Sequence, residues 1–86
     1  MSINNFNSDK LENKLAHHYA TFPELSYVQY RVAMFYALGG ELKVLAMNDG
    51  QQHSSQKKTL ERAKHSLNCK NLDELRSIVL LRMLFF

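Results

Sequence analysis

The twelve residues from Tyr27 to Leu38 constrain this chain most, because only Gln29 and Arg31 among them are strongly polar. A helix that is apolar nearly all round has no face for water and must be covered on several sides. Its limits are written into the flanking residues. Ser26 can accept from the third amide of the helix while Gln29 reaches back to the cap's own N–H. Gly39-Gly40 then stops it, since glycine accepts the left-handed conformation that ends helices. The chain is therefore expected to fold around one central helix, with the remaining segments wrapped on it.

Those segments also read as helices. Asp9-x-x-Glu12 is a capping box, and Leu11, Leu15 and Tyr19 share one side of a helix from Lys10 to about Ala20. Phe22-Pro23 ends it, because proline disfavours helix at the residue before it. Glu41 to Met47 is a short helix with Leu42, Leu45 and Ala46 inward and Lys43 outward, and Asn48-Asp49-Gly50 is a turn signal. The next helix is expected to start near Gln52, with Ser54 or Ser55 as alternative caps, and to run to about Asn68. Leu60, Ala63 and Leu67 recur at helical spacing and form its inner stripe. Ser54, Lys58, Arg62 and His65 lie opposite, with Lys57 at the edge. Asn71-x-x-Glu74 opens a last helix from Leu72 to about Leu84. No strand-like alternation, repeat or low-complexity tract interrupts this all-α pattern.

Eighty-six residues of which 45% are hydrophobic and 22% charged make one globular domain with ordinary composition. A chain this short is marginally stable alone and gains from a partner chain. The second half of the last helix, Ile78 to Phe86, carries more apolar surface than one small core can use. Ile78, Leu81, Leu84 and Phe85 are accordingly the expected dimer-interface residues. That stretch is too short for a membrane helix and holds Arg82. The polar N-terminus (Ser2, Asn4, Asn5, Asn7, Ser8) lacks the apolar segment of a signal peptide. A cytoplasmic location and no membrane partner are expected.

Net charge is only +3. Between Gln51 and Lys70, however, Lys57, Lys58, Arg62, Lys64 and Lys70 face a single acid, Glu61. A local excess of this kind attracts phosphate. Other chemistries find little support. Cys69 is the sole cysteine and has no Cys or His at metal-ligand spacing, so it reads as a small buried hydrophobe. His17 and His18 are adjacent and diverge on a helix, and His53 and His65 are far apart on theirs. No nucleophile elbow, phosphate loop or carboxylate pair suggests catalysis. The aromatics Tyr27, Tyr30, Phe35 and Tyr36 sit on the central helix and read as core. No enzyme activity, cofactor or metal is expected.

From Leu25 to Phe85 the chain resembles, without gaps, the LuxR-type (GerE-like) helix-turn-helix domain of bacterial transcription regulators. The resemblance is carried by Leu25-Ser26, Val32, Gly39, Lys43-Val44-Leu45-Ala46, the stripe Leu60, Ala63 and Leu67, and then Cys69, Asn71, Glu74 and Leu75. It implies a tri-helical helix-turn-helix core with a fourth C-terminal helix, occupying Leu25 to Phe86. The first 24 residues would be an extra N-terminal helical appendage packed on it. By the same analogy the basic helix is a recognition helix, Lys43 contacts phosphate, and the last helix forms a dimer. The departures cluster in the turn and the start of the recognition helix. Asp49 replaces the usual apolar residue closing the turn, and Gln51 replaces the Ile or Val before the cap. Gln52 replaces the cap Ser, Ser55-Gln56 the Thr-Val pair, and Thr59 the frequent His.

The expected function is therefore a small transcription regulator binding duplex DNA as a dimer. Lys57, Lys58 and Arg62 would supply the electrostatic contacts, and His53, Ser54 and Gln56 the polar reading of bases. The runner-up is a protein-interaction module, an antiactivator that sequesters another regulator by heterodimerising through its apolar last helix. A small helical secretion chaperone fits the size and helix content but not the family-like spacing.

Overall fold

The computed structural model describes residues 16–86, and every regular element among them is helical. Residues 16–19 are helical and lead into four helices: α1 (Tyr27–Ala37), α2 (Leu42–Asp49), α3 (His53–Ser66) and α4 (Leu72–Phe85). The expected cap at Asp9 and Glu12, with Leu11 and Leu15, lies outside the described residues. Among those described, no helix is long and apolar enough to cross a membrane.

As its composition requires, α1 is the hub. It packs against α2, α3 and α4, while α2 also packs on α3. Tyr30, Val32, Ala33, Met34 and Ala37 are all buried, which leaves Val28 and its neighbour Tyr27 on the open side. Burial lifts the Tyr30 phenol to about 12. Leu45 and Ala46 from α2, Leu60 and Ala63 from α3 with Leu67 at its C-cap, and Leu75 and Val79 from α4 complete the core. Cys69 is buried and free, and burial pushes its thiol up from the ordinary range, as befits a packing residue.

The capping chemistry is local and follows the residues. Ser26 Oγ accepts from the Gln29 amide at 3.2 Å, and Gln29 Oε1 accepts from the Ser26 amide at 3.1 Å. Asn71 Oδ1 accepts from the Glu74 amide at 2.8 Å, but Glu74 closes on the Lys70 amide rather than on the cap itself. Three helices stop by one device, a residue in the left-handed region followed by an amide that reaches back across the last turn. Gly39 (φ 94°), Gly50 (φ 67°) and Asn68 (φ 58°) hold the left-handed position. The Gly40, Gln51 and Cys69 amides bond to the Phe35, Ala46 and Lys64 carbonyls at 2.9, 2.8 and 3.0 Å.

Two boundaries differ from the sequence reading. Asn48 and Asp49 belong to the last turn of α2, because Gly50 alone supplies the left-handed stop. Gln52 is the residue that caps α3 rather than its first helical residue, and neither Ser54 nor Ser55 caps it, both lying inside the helix. The Gln52 side chain makes no capping hydrogen bond.

The segment before α1 is stitched to the helical body. Phe22 is wholly buried in the same core, with its ring centroid 5.3 Å from that of Tyr30. Arg82 of α4 donates to both Glu24 carboxylate oxygens and to the Thr21 carbonyl, all at 2.8 Å, and stacks 5.1 Å over the Phe22 ring. This bidentate contact holds the Glu24 carboxyl down at about 2, against an ordinary 4.5. A depressed carboxyl stabilises the fold fully above its unfolded value and loses that contribution as pH falls through its folded value. The Glu24 side chain is 38% exposed, so solvent screens the pair and the effect is modest. Thermal melts should show wild type above Glu24→Gln by roughly 2–4 °C near neutral pH. The gap should close between about pH 4.5 and pH 2.

Candidate nucleic-acid interface

α3 has two chemically distinct sides because its apolar residues recur every three to four positions. Leu60, Ala63 and Leu67 point into the core, and Gln56, one turn earlier on the same stripe, is buried with them. The remaining side is exposed: His53, Ser54, Ser55, Lys57, Lys58, Arg62 and His65. Lys57, Lys58 and Arg62 have no carboxylate within ion-pair distance among the described residues, where the pairs are Arg31–Asp49, Lys64–Glu61 and Arg82–Glu24. Lys64 differs from its neighbours, since its ammonium lies 2.9 Å from Glu61 and is mostly covered. That contact also absorbs the helix's one acid, which leaves its other cations without a carboxylate from α3 itself.

The helix is flanked by two clefts of about 250 Å³ each. One lies toward α1 and mixes apolar walls from Val28 and Val32 with the polar side chains of Arg31, Asp49, Ser55 and Thr59. The other has an apolar floor of Tyr36, Leu42, Leu60 and Leu72, with His53 and Lys57 at its rim. Lys43 is exposed on α2, which a three-residue connection joins to α3.

One residue assigned to base reading is placed elsewhere. Gln56 is 4% exposed, and its amide nitrogen donates to Asp49 Oδ2 at 3.3 Å, so it faces inward and is not available to a groove. Its position in the 56, 60, 63, 67 stripe was the signal that it would be buried. Asp49 in turn takes a 2.6 Å contact from Arg31 of α1 and a 3.1 Å hydrogen bond from Asn48. The last residue of α2 is thus held by a cation eighteen residues earlier, which no local pattern announces.

No protein-family model, curated protein or solved structure matches this chain. Two exposed surfaces carry chemistry that bears on function. The first is the cationic side of α3. The second is the end of α4, where Leu81, Leu84, Phe85 and Phe86 are 52%, 77%, 73% and 77% exposed. Ile78, one turn earlier, is half-buried and packs against the core as well.

Proposed function

We propose that this chain is a small transcription regulator of bacterial type that binds duplex DNA as a dimer. In this reading α1, α2 and α3 form a tri-helical, LuxR-type core with α2 and α3 as the helix-turn-helix, and α4 carries the dimer contact. The observation that supports it most is the exposed triad Lys57, Lys58 and Arg62, without an ion-pair partner among the described residues, on a helix whose other side is buried. Cations in such a row neutralise phosphates and release the counterions condensed on them, which drives sequence-independent affinity. His53 and Ser54, in the exposed first turn, are the side chains of suitable length and chemistry for base edges. Lys43, on the preceding helix, is the expected phosphate contact at the flank.

A second reading is favoured by the apolar end of α4. Exposed leucines and phenylalanines on one short helix are suited to an apolar face of another chain. If that chain is an intact regulator, this protein acts by sequestering it and the basic side of α3 is incidental.

Titration of a generic duplex at two salt concentrations tests the first reading. Lys58→Ala and Arg62→Ala should each weaken binding by about 3- to 10-fold at low salt and flatten the salt dependence by about one unit of slope. Unchanged affinity in both variants would overturn it.

A further inference from the structure

The first turn of α3 is held in an unusual way. His53, Ser54 and Ser55 are exposed, and the helix's first buried apolar residue is Leu60, two turns in. The Gln52 cap contributes no side-chain hydrogen bond. The one buried side chain of this turn is Gln56, whose amide bonds to Asp49 Oδ2, the same oxygen that Arg31 contacts. Side chains from α1 and α3 thus meet on one carboxylate of α2. Arg31 and Asp49 keep only 27% and 21% of their side-chain exposure, so the carboxylate is largely withdrawn from water and depends on its partner.

We propose that Arg31 is a positioning residue for α3, acting through Asp49 and Gln56 to fix the pose of the helix's first turn. Its consequence for binding rests on the DNA-binding reading; its consequence for the helix does not. Packing of Leu60, Ala63 and Leu67 holds the body of α3, and the Arg31–Asp49–Gln56 contact holds the end that carries His53, Ser54 and Lys57. Without the latch the first turn loosens while the core stays intact.

Charge and position predict opposite signs for one variant. Asp49→Ala raises the net charge by one, so if Asp49 acted only through its charge, duplex affinity would rise. Positioning predicts a fall of about tenfold. Arg31→Gln should fall by a similar factor, and Arg31→Lys, which keeps the charge but replaces the planar guanidinium with a compact ammonium, by less. Hydrogen exchange supplies an independent readout at the Ser55 and Gln56 amides, which bond to the Gln52 carbonyl at 3.0 and 3.2 Å. Exchange there should accelerate about tenfold or more in Asp49→Ala and Arg31→Gln, with amides of α4 unchanged. Arg31→Lys, the variant least able to disturb folding, should move the same amides in the same direction. Unaltered exchange at these amides, or acceleration shared equally by α4, would overturn the inference. So would a duplex affinity that rises in Asp49→Ala. A wild-type protein that binds no duplex would instead remove the DNA-binding reading, leaving exchange alone to decide the role of Arg31.

Discussion

Phe22→Ala is expected to remove a large share of the protein's stability, costing about 3–5 kcal/mol. The ring is wholly buried, lies against Tyr30 and supports the Arg82 guanidinium from below. Truncation leaves a cavity among residues that cannot fully collapse, because α1 and α4 are each held by other contacts. It also strips the stacking partner from Arg82, a contribution of about 0.5–2 kcal/mol that is partly counted in the same figure. A chain of this length has a total stability on the order of 4–13 kcal/mol. Urea denaturation followed by circular dichroism should therefore show a midpoint displaced far toward zero denaturant, and Phe22→Leu should recover most of it. A loss below about 1 kcal/mol would show that the segment ahead of Leu25 is not part of the cooperative unit.

The second large effect is expected on α4. Leu81 is half exposed, so Leu81→Glu should shift the stability of the monomer by no more than about 0.5 kcal/mol. In the proposed dimer the same change buries an unpaired carboxylate in an apolar contact, and the dimer dissociation constant should rise at least 100-fold or so. Sedimentation across a concentration series measures this directly. A dimer that persists would place the contact elsewhere. The variant also separates the two functional readings. A regulator that has lost only self-association should recover duplex binding at high protein concentration, by mass action. A sequestering module that has lost its contact surface should not recover its effect in cells at any expression level.

The parts of this fold that were legible in the sequence are those fixed by neighbours in the chain. Ser26 with Gln29, Asn71 with Glu74, and Gly39 and Gly50 are side chains or backbone conformations acting within a turn, and each sits at the helix end where its chemistry belongs. The apolar content of α1 foretold its central place, and the 60, 63, 67 spacing foretold the buried side of α3. What escaped depends on residues far apart. Arg82 and Glu24 are separated by 58 positions, and their pairing, with Phe22 beneath, is what ties the N-terminal segment to the core. Asp49 reads locally as a turn residue, and its role follows only once Arg31 is seen beside it. Gln56 differs in kind: its polarity suggests an outward role, although helical spacing already puts it in the buried stripe.

Mapping backbone amide shifts while a short generic duplex is added, first at low and then at physiological salt, tests the central claim most directly. The account predicts that the largest shifts fall on His53, Ser54, Lys57, Lys58 and Arg62, with a smaller set around Lys43, and that all shrink as salt rises. An absence of shifts at low salt, or shifts confined to the Leu81–Phe86 end of α4, would contradict it.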